Sequence, residues 1–296
     1  MIHLIQTVGT GILVGFIYAL LGLCIVIIYR ASKAFNFAIG QFLVIGSYLF
    51  YTMFVAFHLP LPIALPLGLS AAGITGAIVE RLTIKPLLGQ DPMQMTKITL
   101  GLYFFLSALI NFTLNYSGSP GWQALGLPDI TLETGGFIYL SERIWAGILS
   151  LSTFGLVMVA LFRTRWGLAI RAISESQAKA LAFGINARFI LLIIWAISSA
   201  CIAVAGVMIS NFGILSPSSA PIGFRALPVV IIGGIDSIGG ALIAGIVIGI
   251  FEALVAAYIE PMGLIGFKDT ATYILMLIVL FIRPYGLFGT VRIERI

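Results

Sequence analysis

The sequence predicts an all-α, polytopic inner-membrane helical bundle with about eight transmembrane helices, and three observations predict it. Hydrophobic residues make up 60% of the chain and charged residues 9%, against roughly 25% charged in an ordinary soluble domain; the mean hydropathy is +1.13. Apolar runs repeatedly approach the ~20 residues that cross a bilayer core. One late region is instead interrupted by glycines, which break helices, so a Gly-broken re-entrant or short helix is expected at about 224–240.

The runs come at 8–28, 36–57, 61–79, 98–115, 144–162 and 189–212, followed by the Gly-broken region at 224–259 and a last run at 270–282. The opening MIHLIQT has no basic n-region and no small-residue cleavage site closes the first run, so that run is expected to remain as a span. The polar gaps at 116–142 and 163–188 are too short to build cores of their own, and residues 1–296 are expected to form a single transmembrane domain. Cys24 and Cys201 both fall inside runs, where an unpaired thiol packs as a small apolar side chain.

Lysine and arginine accumulate in cytoplasmic loops. Thirteen of the sixteen basic residues follow the first, third, fifth and last runs. The gap at 116–142 holds Asp129, Glu133 and Glu142 and no lysine or arginine. That gap is expected outside, which puts the N-terminus outside and the C-terminus in the cytoplasm. The net charge of +5 then reads as anchoring to membrane lipid, and no nucleic-acid partner is expected. Eight single crossings from outside would, however, leave the C-terminal arginines outside. Two entries by 224–259, a short one to about Ile235 and a longer one from Ala241, restore the parity, with GGIDSIGG at 233–240 as the break. Broken backbone at membrane depth survives where protein buries it or where it lines a cavity, so this region is expected to border a path.

Several polar positions carry two readings each. Asn36 and Gln41 bracket FAIG at the start of the second run; Asn36 either caps the helix or, with Gln41, meets a solute in the path. Arg225 in PIGFRALP either snorkels to the interface or attracts a carboxylate. Gly233 and Gly234 read as hinges or close-packing points. Ala241, Gly245, Gly249 and Ala253 form a stripe of small residues that lets helices approach closely in lipid. Glu252, the only ionisable residue within the runs once Arg225 and Asp236 at the ends of the short broken piece are set aside, flanks that stripe and should face protein, either as a polar group in the path or as a carboxyl satisfied between helices.

A different signal lies in RAISESQAKALAFGIN at 171–186. Ser174 and Gln177 fit a capping box, Glu175 suits a first turn and Gly184 suits a left-handed C′ position, which predicts a helix at about 175–183. A helix that short does not hold in water alone. Ala178, Leu181, Ala182 and Ile185 share one face, with Lys179 elsewhere; this shallow apolar face suits either a groove on a partner or the ends of its own bundle.

Four stretches, GFIYALLGLCIVIIYRASKAFNFAIGQFLVIGSY at 15–48, SESQAKALAFGIN at 174–186, 205–254 with its GGIDSIGG, and RPYGLFG at 283–289, resemble in order and spacing the permease subunits of ATP-binding-cassette importers for branched-chain amino acids. The resemblance implies a single permease domain over 1–296, a second permease subunit, two cytoplasmic ATPase subunits and an external substrate-binding protein. It also implies that the segment at 175–183 is a cytoplasmic coupling helix resting on an ATPase, with Glu175, Ala178, Lys179, Leu181, Ala182 and Gly184 as its contact set. Relatives of the same family import urea, short amides or small acids.

The residues themselves agree on the energy source. No GxxxxGK[ST] phosphate loop occurs in the sequence, and no nucleophile, base and orienter can be assembled. No enzyme activity, cofactor or metal is expected on this chain, and the resemblance puts ATP and Mg on the partner ATPases. Proton-driven carriers need ionisable groups within their spans, and only Glu252 qualifies. A passive channel for urea or a similar neutral solute is the alternative, with an ion-coupled secondary carrier behind it.

The charge contrast between the two gaps generates a test. A cysteine at Ser119 or Thr134 should react with an impermeant thiol reagent from outside, and one at Ser176 only after the membrane is opened. External labelling at Ser176 would reverse the orientation.

Overall fold

The structure is a computed structural model and describes residues 2–113, 132–134, 137–139, 141–175, 177–210 and 216–289. Its helices are α1 (Ile2–Ser32), α2 (Ile39–Tyr51), α3 (Leu61–Val79), α4 (Pro92–Thr113), α5 (Ser141–Arg163), α6 (Arg165–Glu175), α7 (Gln177–Ala182), α8 (Ala187–Ser210), α9 (Ala226–Gly233), α10 (Ile238–Leu254) and α11 (Phe267–Ile282). Among the described residues seven helices are long and apolar enough to cross a membrane. That is close to the eight expected; the 16-residue apolar α11, about 24 Å long, is shorter than the ~30 Å core. One small departure from an all-α chain is the antiparallel pair β1 (Leu132–Thr134) and β2 (Phe137–Tyr139), with Leu132 opposite Tyr139. Three-residue strands are too short for alternation to be read in sequence.

The chain divides into two compact units. One takes Met1–Val26, Pro128–Leu151 and Arg225–Ile296. In it α1 lies antiparallel against α10 at backbone distance. A Cβ on Gly11 would stand 2.6 Å from the Ile250 Cα, and one on Gly15 would stand 2.8 Å from the Gly245 carbonyl. From the other side, a Cβ on Gly245 would meet the Ala19 backbone at 2.6 Å, and one on Gly249 would meet the Gly15 Cα at 2.6 Å. The expected small-residue stripe on α10 therefore has a matching stripe on α1, Gly11, Gly15 and Ala19, which the sequence reading did not pair with it.

The Gly-broken region resolves into a 3-10 segment (Pro217–Arg225) leading into α9, a turn at 234–237, and α10. Eight residues of α9 rise only about 12 Å, too little to cross the ~30 Å core. Ser237 caps α10, its Oγ accepting from the Gly240 N–H at 3.0 Å. Beyond α11 the chain returns to the end of α9: the Leu287 N–H donates to the Ile232 carbonyl at 2.7 Å and the Phe288 N–H to the Gly233 carbonyl at 3.2 Å. Hence α9 and α11 finish on the same side, and α10 starts from it. Two entries by the broken region require this arrangement.

The other unit takes Ile27–Leu127 and Ser152–Phe224 and is built on α8. Pairings of Gly46 with Ala203 and Gly206 with Ser47, and the 2.8 Å hydrogen bond between Tyr51 and Ser210, run α2 parallel to α8. Gly73 against Ala196 and Gly76 against Trp195 and Ser199 run α3 antiparallel to it. A π-helical turn (Glu80–Ile84) and a 3-10 turn (Lys85–Leu87) carry α3 onward, so the third span reaches Leu87. The expected end near Val79 is corrected, and with it the statement that Glu252 is the only ionisable group in a span: Glu80 is fully buried. The irregular backbone before α2 is satisfied by α4, since the Thr99 hydroxyl accepts from the Phe37 N–H at 3.2 Å and donates to the Phe35 carbonyl at 2.8 Å. Phe104, Phe105 and Phe112 of α4 are exposed, as a lipid-facing side requires.

Gly245→Leu or Gly249→Leu should sharply reduce folded protein, because the side chain would displace backbone; overpacking costs about 1–3 kcal/mol where side chains can yield, and more here. Val247→Leu, at a position 41% exposed, is the control. Yields of monodisperse protein in detergent check this.

Candidate functional site

Arg225, Glu252 and two residues that sequence reasoning missed meet in one cluster. Arg225 ends the 3-10 segment just before α9, Glu252 sits in the last turn of α10, Tyr18 lies in α1 and Asp269 in the first turn of α11. One guanidinium nitrogen, Nη1, donates to the Tyr18 hydroxyl at 2.7 Å and to Glu252 Oε1 at 2.6 Å. The other, Nη2, pairs with Asp269. The Arg225 side chain is 22% exposed and that of Glu252 only 7%, while Asp269 is 55% exposed. Arg225 is thus the counter-charge of a carboxylate inside a span, and both its terminal nitrogens are engaged. A charge at membrane depth is tolerable when paired in this way. No linear signal linked Tyr18 or Asp269 to Arg225, because they are 207 and 44 residues away in the chain.

Gly233 and Gly234 lie at the far end of α9 and act in packing. A Cβ on Gly233 would meet the Gly240 carbonyl carbon at 2.5 Å, and Gly234, at φ +100°, lies against Gly289. Asn36 does not cap α2, whose N-cap is Ala38; its Oδ1 accepts from the Ala38 N–H at 3.0 Å and closes a turn one step earlier. Gln41 is 1% exposed and neither of its amide atoms has a hydrogen-bond partner.

The segment at 165–190 differs from the capped helix expected at 175–183. Ser174 donates back to the Ile170 carbonyl at 2.8 Å and stays inside α6, so it is no N-cap, and Glu175 is the last residue of α6. Two short helices result, α6 and α7, with Ser176 between them outside the described residues. Gly184 does end α7, at φ +77°, with the Ile185 N–H reaching the Ala180 carbonyl at 3.0 Å. Ala180 faces inward at 2% exposure, whereas Leu181 is 58% and Phe183 83% exposed. Lys179 and Ala182 are exposed too, and the side chain of Ala178 lies outside the described residues. The apolar face is therefore left uncovered by this chain. Beside it Trp166, Ala169, Ile185 and Phe189 line a groove of about 370 Å³ with Arg165 and Asn186.

Residues 7–283 match the family described as the permease component of branched-chain amino acid transport systems. The chain is 30% identical over 317 residues to the high-affinity branched-chain amino acid transport permease LivH of Escherichia coli K12, covering 100% of this chain and 98% of that protein. It is 27% identical to BraD of Pseudomonas aeruginosa, covering 99% and 98%, and 27% identical to a probable LivH of Methanocaldococcus jannaschii, covering 91% and 88%.

Removing one partner of a buried ion pair strands the other charge at a cost of about 3–5 kcal/mol. Arg225→Gln should therefore destabilise more than the double variant Arg225→Gln/Glu252→Gln, which removes both charges. Thermal unfolding of wild type, Arg225→Gln, Glu252→Gln and the double variant in one detergent measures the coupling; additive losses would mean that the two residues do not interact.

Proposed function

The chain belongs to the family of permease components of branched-chain amino acid transport systems, and from that we propose that it is the membrane-spanning subunit of an ATP-binding-cassette importer for branched-chain or other hydrophobic amino acids. It lies in the cytoplasmic membrane of a bacterium or archaeon, with the N-terminus outside and the tail inside. A second permease, either a non-identical relative or a second copy, pairs with it. An external binding protein delivers the substrate, and two ATPases on the cytoplasmic side bind ATP and Mg.

The observation that carries the coupling role is the uncovered apolar face of α7. Leu181 and Phe183 are exposed in the isolated chain in a loop rich in arginine and lysine, where no lipid tails reach them. An ATPase docking there buries that face and stabilises a helix too short to stand alone. ATP binding draws the two ATPases together, and α6 and α7 pass the displacement to α5 and α8, to which they are joined without long linkers. Along the path, Asn36, Gln41, Arg225 and Glu252 are the polar positions a solute meets, with Gly233 and Gly234 allowing the close approach of α9 and α10 that a gate needs.

Ala182→Asp puts a carboxylate into that apolar contact, and an unpaired buried charge is disfavoured by several kcal/mol. The permease should still insert, since Ala182 is exposed, but it should lose the ATPases on purification and stop transporting. Phe183→Ala should weaken ATPase binding by about 1–2 kcal/mol. Normal co-purification and normal uptake with Ala182→Asp would remove the coupling role from this segment.

A further inference from the structure

Residues 163–190 carry five basic side chains, Arg163, Arg165, Arg171, Lys179 and Arg188, against one acid, Glu175. Arg171 has an internal use: its Nη1 donates to the Leu161 carbonyl at 2.9 Å and its guanidinium lies 5.2 Å from the centre of the Phe162 ring, which ties α6 back to the end of α5. Arg163, Arg165 and Arg188 are exposed, and among the described residues none of the three is in an ion pair. All three stand where spans end, since Arg163 closes α5, Arg165 opens α6 and Arg188 is the second residue of α8. The groove of about 370 Å³ lies here, with Arg165 on its wall and a lining that is otherwise mostly apolar. Local bonds fix both walls. Thr164 caps α6, its hydroxyl accepting from the Gly167 N–H at 3.1 Å, and a Cβ on Gly167 would collide with the Leu161 carbonyl. Opposite, Asn186 Oδ1 accepts from the Phe189 N–H at 3.3 Å, and the Trp166 and Phe189 rings meet with centroids 5.8 Å apart. Ile170 and Ile173 of α6 turn inward, leaving Trp166 and Leu168 exposed beside the arginines, the composition of a helix lying in a membrane interface. Exposed apolar side chains lead from this level along the spans: Leu156, Val159 and Phe162 on α5, Phe189 and Ile197 on α8.

We propose that this groove binds one anionic phospholipid, with the phosphate held by Arg165 and its neighbours Arg163 and Arg188 and the start of one acyl chain lying over Ala169 and Phe189. Guanidinium groups match phosphate oxygens in geometry as well as charge, and basic pockets at the ends of spans take lipid head groups. A volume of about 370 Å³ admits part of a lipid and not a whole one, so the rest of the chain follows the exposed faces of α5 and α8. A soluble anion would answer the arginines and leave the apolar lining in water. A neutral apolar segment would cover the lining and leave the charges unanswered. An anionic lipid does both. The inference rests on the chain spanning a membrane, and it holds whichever solute is carried and whatever α7 touches.

The test titrates the full chain, purified in detergent, with phosphatidylglycerol and with phosphatidylcholine, and counts bound lipid by native mass spectrometry. The first phosphatidylglycerol should bind about tenfold more tightly than phosphatidylcholine, and Arg165→Gln/Arg188→Gln should remove most of that preference. Lys97→Gln/Arg283→Gln, the same loss of charge at exposed positions elsewhere, should leave it unchanged. Ala169→Phe, which fills the groove and keeps every charge, should also weaken binding several-fold. Wild-type lipid affinity in both Arg165→Gln/Arg188→Gln and Ala169→Phe, or no preference for phosphatidylglycerol in the wild-type chain, would overturn the proposal. Displacement of the lipid by excess glycerol phosphate would overturn it too, marking a site for anions alone. In the assembled transporter a photo-crosslinker at position 169 should capture phospholipid; capture of an ATPase or a second permease instead would show that protein covers the groove and would contradict the assignment.

Discussion

The unit formed by α1, α9, α10 and α11 depends on a contact with almost no side chains in it. Within a bilayer, lipid tails are as apolar as leucine, so helices gain nothing by hiding apolar surface from one another and associate through close packing instead. Gly11 and Gly15 of α1 meet Gly245, Gly249 and Ile250 of α10 at distances that leave no room for a Cβ. Tyr18, one turn beyond Gly15, lies level with the middle of α10, and Arg225 closes the group by bonding to both the Tyr18 hydroxyl and Glu252. Packing and electrostatics are coupled here: the pair of charges can be buried because the helices are close, and it fixes where along α1 the short α9 begins.

The other unit solves the same packing problem but leaves a remainder. Gly46, Gly68, Gly73, Gly76 and Gly206 bring α2, α3 and α8 together at backbone distance, yet Glu80 and Trp195 come into that close packing with side-chain polar atoms that have no hydrogen-bond partner. In the α10 cluster Arg225 bonds to both Glu252 and Asp269, whereas the buried carboxyl oxygens of Glu80 accept no hydrogen bond and have only the nearby charges of Lys85 and Arg81.

Much of this was legible in the sequence because the bilayer imposes simple rules on length and charge. The spans, the Gly-broken region, the small-residue stripe at Ala241, Gly245 and Gly249, and the C′ role of Gly184 all follow from local pattern. What the pattern could not supply were pairings across the chain. Gly11 and Gly15 are ordinary glycines in an apolar run until α10 is laid on them, and Tyr18 and Asp269 become partners of Arg225 only in the folded unit. Glu80 was placed outside its span because the helix continues through a π-helical turn that has no sequence signature. At 174–177 the capping box failed for a different reason: Ser174 bonds back to Ile170, a competing use of the same hydroxyl, so α6 runs on to Glu175.

Import driven by ATP differs from both a channel and passive exchange in one measurable respect, the direction of net flux against a gradient. Liposomes holding the assembled complex, with binding protein on the periplasmic face and ATP supplied on the ATPase face, should accumulate labelled leucine above the concentration on the binding-protein side. Accumulation should stop when ATP is replaced by a non-hydrolysable analogue. Flux that merely equalises the two sides, at the same rate with and without ATP, would contradict the assignment of this chain as an importer permease.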